Sequence, residues 1–436
     1  MLGFKNIDKT QEAVMNRLHG DRVIWVIILL LSLISLALIY SASSSLAFKE
    51  HTTNFAYLMK QLRFVVLGLL ALYICYKVPL RWYRYLSVPI FVISIILLAL
   101  TPIIGTEVNG AKRWLSFGGL TFQPTEIAKI TTILYLARIL EVSKIDTYKQ
   151  FLWKVVAPLG LVCVLIMIGS VSQALLVALI SLLVLIAAGV KFKHLLYTIG
   201  LAMCALVLIV LLNLAFGWFG RLDTATSRLK KFFGSETEQV ESGGMTAAEQ
   251  KQKQADETFQ ADMAKIAISS VGFLGKGPGK STQRYVLPHP YSDYIYTIII
   301  EEYGMFGGIV VLMLYLWFFN RCVKLVKSCK TVFSSLTVGG LGLLIVVQAA
   351  LHILVNVGLL PVTGHTLPLV SLGGTSLIIL SCAFGIILSV SRTKEVAENK
   401  EKQLATAGSS VAGGGNEEVA AGSEDAIENT TENSDN

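Results

Sequence analysis

Ten apolar runs of about 20 residues each constrain this chain more than any other feature of its sequence. A helix of that length crosses the hydrocarbon core of a bilayer, so the runs predict an all-α, polytopic membrane helix bundle with about ten transmembrane helices. The first run precedes Ser41-Ala42-Ser43, as a cleavable signal peptide would, but it is long for one and further spans follow. We therefore interpret it as a retained anchor. The runs are 23–40, 64–78, 88–104, 124–140, 151–168, 174–190, 194–216, 294–319, 335–360 and 367–390.

Composition supports a membrane protein and argues against nucleic-acid binding. Of the 436 residues, 54% are hydrophobic and 15% are charged, and the mean hydropathy is +0.64. The net charge of +8 comes mostly from Lys and Arg in short segments between the runs, which is typical of cytoplasmic loops. The alternation of these segments places both termini in the cytoplasm. The six cysteines lie in apolar runs or in one basic loop, so we expect no disulfide framework.

This pattern divides the chain into a cytoplasmic N-terminal segment (1–22), a transmembrane domain (23–391) and a cytoplasmic tail (392–436). Residues 217–292 form a large extracytoplasmic loop between helices 7 and 8; the loop is basic, but long loops escape the charge rule. Its residue types predict two short helices near the outer membrane surface, at 223–233 and 247–271, and a loop without fixed structure is the alternative. The tail is rich in Ala, Gly, Ser, Glu and Asn, and we expect it to be disordered.

Three carboxylates mark the eighth run. Glu301 and Glu302 are the only charges between residues 294 and 319, and Asp293 stands at the start of the run. Charged groups at membrane depth are costly, so an acid there is a candidate functional residue. Asp293 and Glu301 lie about 80° apart on a helix and ~12 Å along it, on one face with Thr297. A helix-start acid that only favours the helix dipole is the alternative interpretation of Asp293.

Gly304 and Gly308 follow on the helix face that carries Asp293, Thr297 and Glu301. Because both are small, they predict a glycine seam, a surface on which a neighbouring helix packs closely. Glu302 points to another side of the same helix, and we expect it to contact another helix.

The run at 124–140 is the least apolar, because it carries Glu126, Lys129 and Arg138, and such a helix should face the bundle interior or a polar groove. The preceding loop contains Asn109-Gly110-Ala111-Lys112-Arg113-Trp114. Asn-Gly predicts a tight turn, and on residue types alone the cations are anchors that reach lipid headgroups.

A third segment, 356–376, has Pro and Gly at a density that breaks helices at membrane depth. Irregular backbone is tolerated there only where it lines a cavity or is buried in protein. Its free backbone N–H groups are candidates for binding phosphate oxygens, and a kinked loop with a packing role only is the alternative.

These three segments resemble the SEDS family, the FtsW/RodA polymerases of the bacterial cell wall. The resemblance covers residues 23–391, and the end of the first span, Tyr40-Ser41-Ala42-Ser43-Ser44, is more similar to the division branch than to the elongation branch. The matching motifs are Asn109-Gly110-Ala111-Lys112-Arg113-Trp114, Gln123-Pro124-Thr125-Glu126-Ile127-Ala128-Lys129, Gly275-Lys276-Gly277, Tyr285-Val286-Leu287-Pro288, Ser292-Asp293-Tyr294-Ile295-Tyr296, Glu301-Glu302-Tyr303-Gly304, Pro361-Val362-Thr363-Gly364-His365-Thr366-Leu367-Pro368 and Ser371-Leu372-Gly373-Gly374-Thr375-Ser376.

The chain departs from the family pattern at three places. Thr363 stands where many relatives carry Lys, and His289-Pro290 replaces the Glu that usually follows Leu-Pro. The segment Gly169-Ser170-Val171-Ser172-Gln173 lacks an acidic turn that many relatives have after the fifth span.

The resemblance implies a glycosyltransferase that polymerises lipid II into glycan strands at the outer face of the cytoplasmic membrane. The 4-hydroxyl of the acceptor sugar attacks the anomeric carbon of the donor, undecaprenyl diphosphate leaves, and the anomeric centre inverts. That chemistry needs a base near the hydroxyl and positive charge near the diphosphate.

The resemblance also implies roles for individual residues. Asp293 is the expected catalytic base. The expected substrate-binding residues are Lys112, Arg113, Arg228, Lys276, Lys280, Thr366 and Ser371. The cations among them are expected to bind the diphosphate. Glu126, Lys129 and Glu302 are expected to be structural partners in a polar cavity, and the role of Glu301 stays undecided. A divalent cation, Mg²⁺ or Mn²⁺, shared by Asp293 and the diphosphate is a further hypothesis, although the sequence shows no complete metal site.

The expected partners are lipid II, a class B penicillin-binding transpeptidase and other membrane proteins of the division machinery, at the division septum. Two alternatives remain. A lipid II flippase would use intramembrane acids near the bilayer midplane, and a scaffold that only recruits a transpeptidase would need none of the basic and glycine residues in the outer loop.

Overall fold

The computed structural model describes residues 20–108, 111–117, 120–143, 145–216, 263–264, 266–268, 271–287 and 289–396. They divide into two compact units, Arg22–Val390 and a small unit made of the described chain ends, 20–21 and 391–396. Within the small unit, the N–H of Asp21 donates to Ser391 Oγ at 2.8 Å, so the two described ends lie side by side. The predicted tail and most of the predicted outer loop, including helix 223–233, fall outside the described residues. Of the second predicted loop helix, 263–264 and 266–268 are described, and they are helical.

The described residues form ten long helices, one at each predicted apolar run, which confirms the predicted all-α membrane bundle. Seven of them are long and apolar enough to cross a bilayer, while α6 and the described apolar part of α7 are shorter and α4 carries charges. The helices are α1 (Arg22–Ala42), α2 (Asn54–Lys77), α3 (Leu80–Ile104), α4 (Pro124–Val142), α5 (Tyr148–Gly169), α6 (Val171–Ala187), α7 (Phe192–Phe216), α8 (Ile295–Lys327), α9 (Val332–Asn356) and α10 (Thr375–Val396).

Helices α9 and α10 form the centre of the bundle. In their most apolar stretches, 61% and 72% of the residues are buried, against 22% for α2 and for α5. Helix α9 packs against α4, α6 and α8. Side chains that reach out from α9 can therefore contact several elements at once.

A small antiparallel sheet joins α3 to α4, and the sequence analysis, which predicted only a turn there, missed it. Its strands are β1 (Thr106–Val108), β2 (Ala111–Phe117) and β3 (Leu120–Phe122), in the order β1-β2-β3. The strands are antiparallel, with Val108 opposite Ala111 and Phe117 opposite Leu120. Thr375 Oγ1, at the start of α10, donates to the Thr121 carbonyl oxygen at 2.8 Å and joins the sheet to the bundle centre.

Helix α8 is not the single straight rod that the apolar run suggested. Gly304 has φ 70° and ψ −172°, which is outside the helical region and suits only glycine. The Tyr296 hydroxyl donates to the Gly308 carbonyl oxygen at 3.1 Å, although a straight helix would separate these residues by about 18 Å. The chain therefore folds back at Gly304, between a short helix at 295–303 (α8a) and a long one at 305–327 (α8b).

This fold-back corrects the predicted glycine seam. A Cβ at Gly304 would collide with the Phe273 carbonyl oxygen and the Gly275 nitrogen, so a loop packs there, not a neighbouring helix. Gly308 faces Tyr296 and Ile300 of α8a. Both glycines allow close approach, but not of a neighbouring helix. The outer loop approaches Gly304, and α8a approaches Gly308.

The last apolar run is also shorter as a helix than predicted. Residues 357–374 are irregular, and α10 begins only at Thr375. The irregular backbone is held by side chains of α9: Gln348 Nε2 donates to the Thr366 carbonyl oxygen at 3.0 Å, and His352 Nδ1 lies 2.6 Å from the His365 carbonyl oxygen. Polar side chains of α9 thus satisfy carbonyl groups that would otherwise be costly inside a membrane protein.

Candidate functional site

Asp293 lies in the turn that precedes α8a and is half-buried. Its backbone N–H donates to the His289 carbonyl oxygen at 3.1 Å, and its carboxylate Oδ1 accepts from Ser292 Oγ at 2.7 Å. The helix begins at Ile295, two residues later, after Tyr294, whose side chain makes no capping hydrogen bond. The first turn of α8a is capped from α9 by Asn356, and Asp293 lies just before the helix, a position that also fits the helix-dipole interpretation.

Asn356 is the residue that positions this turn, and its side-chain amide is fully engaged. Its Oδ1 accepts from the Thr297 N–H at 3.1 Å and from Thr297 Oγ1 at 2.9 Å. Its Nδ2 donates to the carbonyl oxygens of Asp293 and His352, each at 2.9 Å. Asn356 is completely buried. The sequence analysis placed Asn356 in a motif without giving it a role, because a capping contact between distant helices leaves no local pattern.

Replacing Asn356 with alanine is expected to destabilise the protein. The substitution leaves the buried Thr297 hydroxyl and N–H without their acceptor, and each buried polar group without a partner costs about 1–3 kcal/mol. The midpoint of thermal unfolding in detergent micelles should fall clearly below that of the unsubstituted protein. Ser381→Ala is the control, since the Ser381 hydroxyl only donates to the Leu377 carbonyl of its own helix. Equal midpoints for the two variants would contradict this role of Asn356.

The irregular segment 361–374 forms the second wall around Asp293. Ser371 Oγ donates to the Ser292 carbonyl oxygen and accepts from the Leu367 N–H, both at 2.8 Å. The Leu372 N–H donates to the Tyr291 carbonyl oxygen at 3.0 Å. Next to Asp293 the wall is open: Gly364 is exposed, and a Cβ there would lie 3.9 Å from Asp293 Oδ2.

These contacts change the expected role of Ser371. It is 2% exposed and its hydroxyl is already engaged as both donor and acceptor, so it holds the Asp293 turn and is not available to a substrate. The N–H groups of Leu367, Val370, Ser371 and Leu372 are also used within the protein, which leaves them unable to bind phosphate. Thr366 is half-buried, and its carbonyl oxygen accepts from Gln348.

Glu301 is the centre of a hydrogen-bond cluster that fastens the glycine-rich loop to α8a. It is completely buried, and its carboxylate accepts from five donors. Lys276 Nζ lies at 2.6 Å, the Thr282 N–H at 3.0 Å, Thr282 Oγ1 at 2.9 Å, the Gln283 N–H at 3.3 Å, and Ser281 Oγ completes the set. One positive charge and four neutral donors thus stabilise one buried negative charge. The role of Glu301 was undecided from the sequence, and these contacts favour a structural one.

The backbone of the same loop closes the end of α8a. The Lys276 N–H donates to the Glu301 carbonyl oxygen at 3.0 Å, and the Gly277 N–H donates to the Glu302 carbonyl oxygen at 2.9 Å. These bonds satisfy carbonyl groups that a helix end leaves open. Two N–H groups of the glycine-rich loop are therefore engaged within the protein, and the Lys276 ammonium is paired with Glu301. Lys280 is exposed.

Glu302 contacts another helix, as the sequence predicted. It is completely buried and accepts a short hydrogen bond from Ser41 Oγ at the end of α1. Arg284 Nη1 donates to the Ser41 carbonyl oxygen at 3.2 Å and lies 3.4 Å from Ser41 Oγ. The sequence analysis did not identify Arg284, since nothing near it in the sequence shows that it reaches α1.

Glu126 and Lys129 form a buried ion pair in the bundle core. Lys129 Nζ lies 2.8 Å from Glu126 Oε1 and donates to Gln348 Oε1 at 3.0 Å, and the side chains are 1% and 3% exposed. Through Gln348 this pair is linked to Thr366 and so to the segment beside Asp293. Both residues lie in the polar interior where the sequence analysis placed them.

The cations of β2 lie at a pocket between α3, α4 and α5. Lys112 is exposed and Arg113 is half-buried, and a Cβ at Gly169 would lie 3.4 Å from Arg113 Cγ. Three residues after Gly169, Ser172 Oγ donates to the Thr363 carbonyl oxygen at 3.1 Å. The pocket is lined by Leu98, Thr101, Pro102, Lys112, Arg113, Thr125, Leu165, Ile166, Gly169 and Ser170.

Arg113 lies beside Gly169, and Ser172, three residues further along the chain, donates to the carbonyl of Thr363, whose neighbour Gly364 lies next to Asp293 Oδ2. The structure brings Asp293, Lys112 and Arg113 onto connected elements, and it commits Lys276 and Ser371 to other partners. Arg228 lies outside the described residues. Within the described residues, no group of three or more His, Cys, Asp or Glu side chains is arranged to hold a metal ion.

The fold and the site define a class of protein: a polytopic membrane protein with a half-buried aspartate at the start of a broken helix and a cation-rimmed, partly apolar pocket between other helices. The family model for FtsW, RodA and SpoVE, described as "Cell cycle protein", matches residues 21–396. The chain belongs to this family.

Curated relatives and solved structures agree with this assignment. A probable peptidoglycan glycosyltransferase FtsW from Haemophilus influenzae is 31% identical over 88% of this chain and 94% of its own length, and one from Geobacter sp. strain M18 is 29% identical over 86% and 98%. Among solved structures, a chain of a peptidoglycan synthase complex has a TM-score of 0.66 at 24% identity, covering 86% of this chain and 98% of its own. The rod shape determining protein RodA of Thermus thermophilus has a TM-score of 0.60 at 24% identity, covering 87% and 99%.

Proposed function

We propose that this protein is a peptidoglycan glycosyltransferase that polymerises lipid II into glycan strands at the outer face of the cytoplasmic membrane. The observation that supports the proposal is how Asp293 is positioned and how far it is buried. Its turn is anchored through backbone atoms by Asn356 and Ser371, while the residue is only half-buried and its Oδ2 lies next to the exposed Gly364. A carboxylate in a fixed turn at a partly exposed position meets the requirement for a catalytic base.

In the reaction, Asp293 accepts the proton of the acceptor sugar's 4-hydroxyl as the hydroxyl oxygen attacks the anomeric carbon of the donor. A new C–O glycosidic bond forms, the bond between the anomeric carbon and the diphosphate oxygen breaks, and the anomeric centre inverts. The electron pair leaves with undecaprenyl diphosphate, and Asp293 passes its proton to solvent. General-base assistance of this kind contributes about 10²–10⁴-fold.

Arg113 and Lys112 are the cations that we assign to the departing diphosphate. They lie at the edge of a small pocket whose other walls include Leu98, Leu165 and Ile166, so the two cations stand next to apolar side chains, as a ligand with a charged head and a lipid chain requires. Lys280, Thr366 and Arg228 stay in the proposed substrate-binding set. Lys276 and Ser371 leave it because their polar groups are already engaged. A divalent cation at Asp293 would take its other ligands from the diphosphate and water, and no step above depends on one.

Arg113→Ala is expected to raise the lipid II concentration needed for half-maximal polymerisation about tenfold, since a charge-assisted hydrogen bond contributes about 1.5–3 kcal/mol. Initial rates of strand formation across a lipid II titration measure this. Arg81→Ala is the control, because Arg81 is exposed at the opposite end of α3. An unchanged titration curve for Arg113→Ala would show that the residue is only a membrane anchor.

The proposal extends to partners and location. We infer a class B penicillin-binding transpeptidase as partner, a role with other division proteins at the septum, and cytoplasmic termini. The similarity to a chain of a peptidoglycan synthase complex and to FtsW relatives supports the first two points. The division branch is favoured over elongation by those relatives and by the end of α1.

The test uses purified protein, a partner transpeptidase and lipid II in liposomes, and it also distinguishes a polymerase from a flippase. Glycan strands detected on gels support the polymerase. Lipid II that crosses the bilayer without forming polymer would favour the transporter instead. The described intramembrane acids favour the first outcome: Glu126 and Glu301 are paired with lysines and Glu302 with Ser41, so they are committed to structure.

A further inference from the structure

Helices α2 and α10 are in close contact over two glycines, one from each helix. A Cβ at Gly68 of α2 would lie 2.7 Å from Leu377 Cδ2 and 2.8 Å from Ser381 Oγ, which are side-chain atoms of α10. A Cβ at Gly385 of α10 would lie 2.4 Å from the Leu72 carbonyl oxygen of α2. Real Cβ atoms do not approach other atoms so closely, so the two glycines bring the helices together, as small residues do between membrane helices.

The contacts between these two helices occur in the same order along both chains. Beyond Gly385, Ser389 Oγ of α10 donates to the Val78 carbonyl oxygen, immediately after α2 ends, at 2.6 Å. The two helices therefore run parallel and stay in contact as far as the end of α2. The basic segment 77–84, which begins there, predicts that this end lies on the cytoplasmic side.

Two cysteines face each other where these helices meet. The Cys75 Cβ lies 2.7 Å from the position that a Cβ would take at Gly385. Cys382 comes three residues before Gly385, and residues three apart lie on the same face of a helix, with Cβ atoms about 5–6 Å apart. Both cysteines are half-buried, and their thiols lie within hydrogen-bonding reach of each other. Two nucleophilic groups from distant parts of the chain thus meet between α2 and α10.

This arrangement suits a disulfide that forms only under oxidising conditions. A disulfide needs two Cβ atoms about 3.5–4.5 Å apart, and sulfur atoms already within reach of each other need only a small movement of the side chains to bond. Cytoplasmic reductants keep such a pair as thiols at rest, so the bond requires an added oxidant. The close approach at Gly385 is what makes the bond sterically possible, because a larger residue there would separate the two helices.

We propose that Cys75 and Cys382 are an oxidation site, at which a peroxide joins the two sulfur atoms in a disulfide between α2 and α10. Cys75 reacts first, because it lies two residues from the end of α2 and Cys382 lies one helix turn deeper. Its thiolate attacks one oxygen of hydrogen peroxide, the O–O bond breaks, and the departing hydroxide takes up the proton that Cys75 released. The products are a sulfenic acid at Cys75 and one water molecule.

The second step closes the bridge. The Cys382 sulfur attacks the Cys75 sulfur, the S–S bond forms, the S–O bond breaks, and a second water molecule leaves with the Cys382 proton. In total, two thiols give up two electrons and two protons, and one peroxide molecule becomes two water molecules. The bond fastens α2 to α10 and stabilises the folded chain, because a cross-link restricts the unfolded one.

The experiment uses the full-length protein in detergent micelles. The protein is exposed to hydrogen peroxide, the remaining thiols are alkylated, and the digested protein is examined by mass spectrometry. We expect a pair of peptides that joins Cys75 to Cys382 with the loss of two hydrogen atoms, and we expect dithiothreitol to separate them. The thermal unfolding midpoint should rise on oxidation and fall back on reduction.

Three variants make the test specific. Cys163→Ala removes a half-buried cysteine of α5 and should leave the cross-link unchanged. Cys75→Ala should abolish both the cross-link and the rise in the midpoint. If that variant does not fold, Cys382→Ala takes its place, and its Cys75 should stop at a sulfenic acid that dimedone traps.

The inference is overturned if Cys75 and Cys382 both remain thiols at the highest peroxide concentration at which the protein stays folded. It is also overturned if either cysteine pairs with a different one, or if each is oxidised separately to a sulfinic acid. None of these measurements uses strand synthesis, so their outcome is independent of the proposed function.

Discussion

Asp293→Asn is expected to reduce glycan-strand synthesis at least about 10²-fold without changing the stability of the protein. The amide is nearly isosteric with the carboxylate but cannot accept the proton of the attacking hydroxyl. The turn itself should stay in place, because the bonds from Asn356 and Ser371 go to the backbone carbonyls of Asp293 and Ser292. Strand synthesis from lipid II and thermal unfolding in micelles, measured on the same preparation, test both parts.

Ser292→Ala is the matched control for this prediction. It removes the hydroxyl that donates to Asp293 Oδ1 but leaves a carboxylate in the same position. A loss of about tenfold or less is expected, since one hydrogen bond that orients the base contributes about 1–2 kcal/mol. If Asp293→Asn and Ser292→Ala lost similar amounts of activity, Asp293 would be a positioning group and the base would have to be sought elsewhere.

Glu301→Ala is expected to have the largest effect on stability. Five donors lose their acceptor at once, including the Lys276 ammonium, and removing one member of a buried ion pair costs about 3–5 kcal/mol. Because Lys276 is 31% exposed, we expect the lower end of that range, about 3 kcal/mol. The thermal unfolding midpoint should fall, and strand synthesis should be lost, because the loop is no longer fastened to α8a.

Lys276→Met separates the charge from the hydrogen bonds. It removes one of the five donors and leaves Ser281, Thr282 and Gln283 on the carboxylate, so a smaller loss of stability is expected than for Glu301→Ala. The two single variants and the double variant together measure the coupling between the residues. If Lys276→Met kept its stability but required about tenfold more lipid II, the lysine would bind substrate after all.

The transmembrane helices could be predicted because each follows from its own residues. A run such as 335–360 is apolar over enough length to span a bilayer whatever surrounds it, and α9 is found there. Glu302 was correctly placed on a side of α8 that faces another helix, since rotation along a regular helix is local geometry.

Other features could not be predicted because they depend on contacts between distant residues. Gly304 suggested a helix seam, but the approach of residues 273–275 turns it into a break. Lys276 and Ser371 have the residue types of substrate ligands, but Glu301 and the Ser292 carbonyl engage them. Asn356 and Arg284 each contact an element far away in the chain, and no local spacing in the sequence indicates such contacts.

By itself the sequence determined that this protein is an all-α, polytopic membrane bundle with an acid at the start of its eighth apolar run, because the bilayer imposes length and polarity on every span independently. Only the tertiary structure decided which polar groups are committed to one another and which face an open surface. The physical reason is that a buried polar group must find a partner, and its partner is chosen by the packing of the whole chain.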